Sequence, residues 1–201
     1  MKEIYFITAT NTNVGKTTAS EIFLNQYANQ NKKVGYFKPI ETGVTNIPHD
    51  GSKLFQLAQK LNPNFTVTLN DVVPFQFSLP ASPFVANGCK TIDIKIILEK
   101  LDYLLKFCDV LIVEGAGGLM VPINKDFFII DLIKIINPTN TFLIVPSNLG
   151  SINDTLLSIN ILNQHKIKHN WYINRHMDAQ SFDTVTLPFY KAYFDKLLFL
   201  N

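Results

Sequence analysis

The chain has 201 residues, of which 47% are hydrophobic, and its 18 Lys+Arg against 16 Asp+Glu give a formal net charge of +2. This length and apolar content predict one folded domain over residues 1–201 and exclude a disordered chain. The near-neutral charge argues against a nucleic-acid-binding protein, which usually carries a strong basic excess. Cys89 and Cys108 lack disulfide or metal spacing. The apolar tract 127–136 is shorter than the ~20 residues of a membrane span. We therefore expect a cytoplasmic protein that binds neither nucleic acid nor membrane.

Short runs of β-branched and aromatic residues predict buried strands, and apolar residues at helical spacing predict helices between most of them. In chain order, the predicted elements are a strand over 4–7, a helix ending near residue 30, a strand over 34–37, a loop over 39–51, a helix over 52–61, an irregular segment over 62–88, a helix over 91–107, a strand over 110–113, a strand over 142–145, a helix over 152–164 and a strand over 171–173. This alternation predicts a three-layer α/β fold, with a mostly parallel sheet and helices on both faces.

Polar and glycine-rich segments follow each predicted strand. In a parallel α/β sheet, ligands bind beyond the carboxyl ends of the strands, so these segments are the candidate site. They are Gly15-Lys16-Thr17, then Lys38, then Glu114-Gly115-Ala116-Gly117-Gly118, then residues 146–150, and finally Asn174-Arg175.

Gly15-Lys16-Thr17 stands between a predicted strand and helix and forms most of a phosphate-binding loop. The free N–H groups and dipole of a helix N-terminus favour an anion there. Lys16 would reach the outer phosphates, and the Thr17 hydroxyl would ligate Mg²⁺. Thr10 replaces the first glycine of the usual pattern, and the alternative is an ordinary helix start.

Acidic residues and a second lysine complete the candidate chemistry. Mg²⁺ prefers oxygen ligands, and Glu114, at the end of a predicted strand, is the first candidate for a Mg²⁺ ligand. The alternative is that Glu114 is a solvent-exposed acid at a strand end. Asp50 is a second candidate, against the alternative of a helix N-cap. Lys38 precedes Pro39, which restricts it to extended geometry, and it would stabilise charge on a transferring phosphoryl group unless it is a plain surface lysine. The histidines lack ligand spacing and are expected at the surface; they are His49, His165, His169 and His176.

The order of these motifs resembles the dethiobiotin synthetase family, the ATP-dependent carboxylases of biotin synthesis. The matching segments are residues 10–17, Lys38-Pro39-Ile40-Glu41-Thr42-Gly43, Pro80-Ala81-Ser82-Pro83, residues 113–118, and Asn148-Leu149-Gly150-Ser151-Ile152-Asn153. Each segment is moderately specific, and five in the family's order form a strong signal. The resemblance extends from the first strand to about Asn174 and implies a P-loop NTPase-like fold.

The resemblance implies a reaction of 7,8-diaminopelargonate with CO₂ and ATP through a carbamate and its phosphoric anhydride, in a homodimer. It implies catalytic roles for Lys16 and Lys38, and Mg²⁺ ligation by Thr17, Asp50 and Glu114. Implied ATP contacts are Asn13, Val14, Gly15, Lys16, Thr17, Thr18, Glu114, Gly115, Ala116 and Gly117, with Asn174 and Arg175 near the base. Implied substrate contacts are Thr12, Thr42, Gly150 and Asn153, the last two from a partner subunit's helix N-terminus.

The sequence departs from the family pattern at Ala9, Asn13 and Arg175, and the segment after Asn174 is short. From the short segment we predict loose recognition of the nucleotide base. Two alternative functions are a partition-type ATPase and a nucleotide-binding regulator. A partition-type ATPase carries a lysine at the position that Asn11 occupies here, and a regulator would have no use for Lys38.

Overall fold

The computed structural model describes residues 2–175 and 179–200. Its strands are β1 (Glu3–Ala9), β2 (Val34–Phe37), β3 (Ile40–Thr42), β4 (Phe75–Phe77), β5 (Val110–Gly118), β6 (Pro122–Asn124), β7 (Phe127–Phe128), β8 (Asn140–Pro146) and β9 (His169–Asn174). Its helices are α1 (Lys16–Asn29), α2 (His49–Leu61), α3 (Leu69–Val72), α4 (Pro83–Ala86), α5 (Ile94–Leu104), α6 (Ile129–Ile136), α7 (Ser151–Gln164), α8 (Ala179–Val185) and α9 (Leu187–Tyr193). His176 lies outside the described residues.

The central sheet has five parallel strands in the order β2-β5-β1-β8-β9. All five predicted strands belong to it, and four of them are longer than the apolar runs that predicted them. Because the strands are parallel, their carboxyl ends share one edge. The phosphate-loop candidate, Lys38 and Asn174 therefore lie at the same edge, as the sequence predicts.

Helices cover both faces of this sheet. Phe23 of α1 packs against Phe142 and Tyr172, with ring centroids 4.4 and 5.3 Å apart. The neighbouring Trp171 packs at 5.5 Å against Tyr190, whose hydroxyl is 2.9 Å from that of Thr155 in α7. Successive residues of a strand point to opposite faces, so α1 and α7 lie on opposite sides. The three-layer prediction is confirmed.

Two segments predicted as loop or irregular contain regular structure. Within the predicted loop, β3 forms and α2 begins at His49, three residues before the predicted start. Within the predicted irregular segment, β4 pairs in parallel with β3, Ile40 opposite Phe75. Here α3 begins with a capping box, in which the Thr68 hydroxyl and the Asp71 carboxylate accept from each other's backbone N–H groups. A small second sheet thus forms beside β2 and borders the site.

The most apolar tract forms β7 and α6, and five of the eight residues of α6 are buried, whereas Lys134 and Ile135 are exposed. Among the described residues, no helix has both the length and the apolar character required to cross a membrane. His49 and His165 are exposed as predicted, whereas His169 at the start of β9 is half-buried. Its Nδ1 lies 2.9 Å from the Ile167 carbonyl oxygen, and its backbone pairs with Thr141 of β8.

Candidate active site

A cleft of about 760 Å³ lies at the carboxyl end of the central sheet. It is bounded by the start of α1, the glycine-rich end of β5, the small second sheet and the start of α4. The lining residues are Thr12, Asn13, Gly15, Lys16, Thr17, Thr18, Lys38, Ile40, Glu41, Thr42, Asp50, Pro80, Ala81, Ser82, Pro83, Glu114, Gly115, Ala116, Gly117 and Val121. The structure thus brings together most of the residues that the sequence singled out.

The loop before α1 has the backbone that a phosphate-binding loop needs at its last glycine. Gly15 is the residue before the helix and has φ of +102°, a conformation that favours glycine. A Cβ on Gly15 would collide with the Asn174 side chain. The Asn174 amide donates to the Val14 carbonyl oxygen over 2.8 Å. The end of β9 therefore packs directly against this loop and fixes its path.

Lys16 is buried at the first position of α1, and its Nζ donates to the Asn11 carbonyl oxygen over 3.0 Å. Burial lowers the pKa of its ammonium to about 8, and nearby Lys38 acts in the same direction, against the attraction of Glu114 and Asp50. An anion that entered the loop would give this buried ammonium a negatively charged partner in direct contact.

Glu114 is the centre of the polar network and is only 1% exposed. Its Oε1 accepts from the Thr17 hydroxyl at 3.0 Å and from Lys38 Nζ at 2.9 Å. Its Oε2 accepts from the Ser20 hydroxyl at 2.7 Å and from the Tyr36 hydroxyl at 3.0 Å. The sequence predicts Glu114 just after a strand, but it lies inside β5, because β5 continues through the glycines and pairs with β1 as far as Ala9 and Gly118.

Lys38 bridges two carboxylates. Its Nζ is 2.9 Å from Asp50 Oδ2 as well as 2.9 Å from Glu114 Oε1, and its side chain is buried. Burial alone would lower the pKa of this ammonium, but the charges of Glu114, Asp50 and Glu41 outweigh burial and raise the pKa above its ordinary value. Burial alone would raise the pKa of Asp50, and the Lys38 charge lowers it overall. Lys38 is therefore part of the site, not the surface lysine of the alternative interpretation.

Asp50 does not cap the helix on which it lies. It is the second residue of α2, after Pro48 at the N-cap position and His49. The carboxylate of Glu41, on β3, accepts instead from the backbone N–H groups of Asp50 at 3.1 Å and Gly51 at 2.8 Å. Burial raises the pKa of Glu41, although Lys38 and these N–H groups lower it. Glu41 thus takes over the capping of α2 and leaves the Asp50 side chain facing Lys38.

The oxygen atoms of Thr17, Asp50 and Glu114 form a donor set that fits Mg²⁺, which takes one or two carboxylates together with water and phosphate oxygens. The Lys38 ammonium lies between the two carboxylates, where it neutralises them as a metal cation would. No group of three His, Cys, Asp or Glu residues among the described ones could hold a metal by itself. The set therefore suits a cation that arrives with a phosphate-bearing ligand.

Five of the predicted contacts lie outside this cleft. The first is Val14, which is buried next to Gly15. Asn174 packs behind the phosphate loop, and Arg175 is exposed and pairs with Asp183 at 3.0 and 2.9 Å. Gly150 precedes α7 with φ of +92°, and the exposed Asn153 donates to Asp154 over 3.2 Å. By contrast, Thr12, Asn13, Thr18, Thr42 and residues 115–117 line the cleft as predicted.

Sequence reasoning missed three polar residues of the network, which are Ser20, Tyr36 and Glu41. Ser20 is one helical turn after Lys16, and Tyr36 is two residues before Lys38 on the same strand face, so both lie on faces already recognised as functional. Glu41 is nine and ten residues before the two backbone N–H groups that it caps, and local sequence patterns for helix capping do not extend over that separation.

Comparisons with known proteins agree on the fold. The family model described as an AAA domain matches residues 3–173. A plasmid partition protein of Borrelia burgdorferi is 12% identical, with a TM-score of 0.58 over 99% of this chain and 88% of that one. The MinC:MinD cell division complex of Aquifex aeolicus is 18% identical, with a TM-score of 0.55 over 98% and 79%. At these identities, the likeness shows the P-loop NTPase-like fold alone.

Curated relatives are much more similar in sequence, and the three described next are each named ATP-dependent dethiobiotin synthetase BioD. The protein of Sulfurovum sp. (strain NBC37-1) is 49% identical over 190 residues, which cover 94% of this chain and 90% of the relative. The protein of Wolinella succinogenes is 33% identical and covers 98% and 92%, and that of Helicobacter pylori (strain Shi470) is 34% identical and covers 94% and 88%. Similarity at this level over nearly the whole chain shows that the chain belongs to the ATP-dependent dethiobiotin synthetase family.

Proposed function

We propose that this protein is a ligase that uses ATP to convert 7,8-diaminopelargonate and CO₂ into dethiobiotin. The observation that carries the proposal is the cleft in which Lys16 and Lys38 accompany Glu114 and Asp50, beside a phosphate-type loop. Two buried cations in one cleft suit a substrate and a phosphoryl group that both develop negative charge. The family membership gives this chemistry its substrate.

The proposed reaction has three steps. One amine of the diamine attacks CO₂ and loses a proton, which gives a carbamate. A carbamate oxygen attacks the γ-phosphorus of ATP, and ADP leaves. The second amine then attacks the carbamate carbon, the C–O bond to phosphate breaks, and the cyclic urea forms with loss of a second proton. The phosphate that the second step attaches to the carbamate is thus the leaving group of the third step.

The chain's own residues have distinct roles in this proposal. The free N–H groups at the start of α1 and Lys16 bind the β- and γ-phosphates of ATP. Lys38 offsets charge on the carbamate and on the phosphoryl group during transfer. Thr17, Asp50 and Glu114 hold Mg²⁺, which when bound neutralises charge on the phosphate oxygens. Thr12 and Thr42 contact the diamine.

A homodimer completes the proposed site. Gly150 and Asn153, at the N-terminus of α7, would receive the substrate carboxylate from the neighbouring subunit, because a helix N-terminus favours an anion. Sedimentation at low protein concentration tests the dimer, and a monomer at all concentrations would contradict it. We also propose that the protein acts in the cytoplasm.

The test is to incubate the protein with ATP, Mg²⁺, bicarbonate and 7,8-diaminopelargonate and to detect dethiobiotin by mass. We expect product only when all four components are present, with one phosphate released per product formed. Lys38→Met should abolish product, whereas the matched variant Lys53→Met, which removes an exposed lysine of α2, should retain it. Absence of product with every nucleoside triphosphate would overturn the proposal. Phosphate release that does not depend on the diamine would favour a partition-type ATPase.

A further inference from the structure

We propose that Ser20 and Tyr36 are positioning residues that hold Glu114 by one carboxylate oxygen and thereby present the other oxygen alone to the cleft. This inference rests on the proposed function, in which Glu114 ligates the cation. Neither residue lines the cleft, and neither belongs to the motifs by which the family is identified. Their contribution is made through Glu114.

The hydrogen bonds to Glu114 divide cleanly between its two oxygens. Oε2 accepts from Ser20 at 2.7 Å and from Tyr36 at 3.0 Å, and both of these residues are fully buried. Oε1 accepts from Thr17 at 3.0 Å and from Lys38 at 2.9 Å, and both of these line the cleft. One oxygen thus faces the protein interior and the other faces the ligand side.

The chain reaches this arrangement through the register of the sheet and the turn of the helix. Tyr36 of β2 is paired with Ile112 of β5, and Glu114, two residues further on, projects from the same face. Ser20 is one turn after Lys16 and points from α1 toward that face. The Ser20 hydroxyl is also 2.9 Å from the Lys16 carbonyl oxygen, but its single hydrogen favours the nearer, charged carboxylate.

This geometry determines how Glu114 can bind a cation. A carboxylate has about four lone-pair sites, and two donors occupy each oxygen here. A cation in the cleft can displace Thr17 and Lys38 from Oε1, because both approach that oxygen from the cleft side. It cannot displace Ser20 and Tyr36, because they approach from the buried side. Glu114 is therefore restricted to one-oxygen ligation, and its plane is fixed before the cation arrives.

The test removes each hydroxyl with little change of shape, by Tyr36→Phe and Ser20→Ala. Tyr5→Phe is the matched control, because Tyr5 also donates to a glutamate, Glu3 at 2.6 Å, but at the amino end of β1, away from the cleft. Two readouts are compared. One is the affinity for Mn²⁺ in the presence of ADP, followed by the electron paramagnetic resonance of free Mn²⁺, and the other is kcat as a function of Mg²⁺ concentration.

We expect Tyr36→Phe and Ser20→Ala each to weaken Mn²⁺ binding by about 10- to 100-fold, the usual effect of removing a partner that orients a metal ligand. Their kcat should recover at saturating Mg²⁺, and Tyr5→Phe should behave as the wild type. Wild-type Mn²⁺ affinity in both variants would overturn the proposal, as would a kcat that stays low at all Mg²⁺ concentrations. Because Mn²⁺ binding with ADP requires no diamine, weakened binding in an enzyme that makes no dethiobiotin would refute the proposed function alone.

Discussion

Replacement of Lys38 by Met should destabilise the protein far more than loss of an ordinary lysine. Met keeps the length and most of the apolar volume of the side chain, so the change isolates the ammonium. Without it, Glu114 keeps a buried negative charge and loses the cation 2.9 Å away, and Asp50 loses the same partner. Removal of one member of a buried ion pair typically costs about 3–5 kcal/mol.

The structure assigns most of this cost to Glu114. The Glu114 side chain is 1% exposed, whereas that of Asp50 is 42% exposed and can be solvated once Lys38 is gone. The Asp50 pair should therefore contribute no more than an exposed pair, below about 1 kcal/mol. For a chain of this length, a total near 3–5 kcal/mol corresponds to a decrease in Tm of about 6–20 °C.

Urea unfolding at neutral pH, with and without Mg²⁺, measures the effect. Lys53→Met is the control, because Lys53 forms an ion pair of 2.6 Å with Glu21 in which both side chains are exposed, and its loss should cost below about 1 kcal/mol. Millimolar Mg²⁺ should restore part of the stability of Lys38→Met, since a cation can then neutralise the two carboxylates. The reasoning is refuted if Lys38→Met is no less stable than Lys53→Met.

Three further predictions concern the phosphate loop. Gly15→Ala should destabilise the protein more than Gly88→Ala in urea unfolding. Both glycines have positive φ, which costs about 1–2 kcal/mol for a residue with a Cβ, but only at Gly15 would the Cβ collide with another side chain. Equal losses of stability in the two variants would contradict this. Asn174→Ala should weaken the binding of ATP and of GTP by the same factor, about 3- to 10-fold in calorimetry, because the Asn174 amide donates a hydrogen bond to the Val14 carbonyl oxygen of the loop. A loss of affinity confined to ATP would indicate a contact with the base instead. Lys16 has a pKa of about 8 in the folded protein, against 10.5 for an unperturbed lysine. The unfolded state therefore binds more protons between these two values, and the free energy of unfolding should rise with pH across that window. Lys16→Met should reduce this rise, and an unchanged slope relative to the wild type would count against the assignment.

The sequence was sufficient to predict the five strands of the central sheet and their mostly parallel direction, because each contains an apolar run and helices separate most of them. The order of the strands within the sheet was not predicted. The sequence was not sufficient for β3 and β4, which have three residues each and pair across more than thirty residues of chain. It was also not sufficient for α6, because this helix has only eight residues and continues the apolar run of β7, and a short apolar run does not distinguish a helix from a buried strand.

The candidate site likewise contains residues that the sequence could predict and residues that it could not. Gly15, Lys16, Lys38 and Glu114 were predictable because each lies at or near the end of an apolar run, where a parallel sheet exposes side chains to a ligand. The capping of α2 by Glu41 was not, because a capping side chain is normally sought within a few residues of the helix start. The sequence could therefore not decide whether Asp50 caps its own helix or faces the cleft.

The two ends of the cleft are formed by different sheets, because the small β3–β4 sheet is separate from the central one. The phosphate-loop end adjoins the five-stranded sheet, whereas the opposite rim depends on the separate backbone pairing of β3 with β4. Variation in the loops that follow β3 and β4 can therefore reshape the rim while leaving the register of β1 and β5 unchanged. For protein engineering, libraries confined to residues 43–47 and 78–82 should alter which molecules enter the cleft without dismantling its nucleotide end.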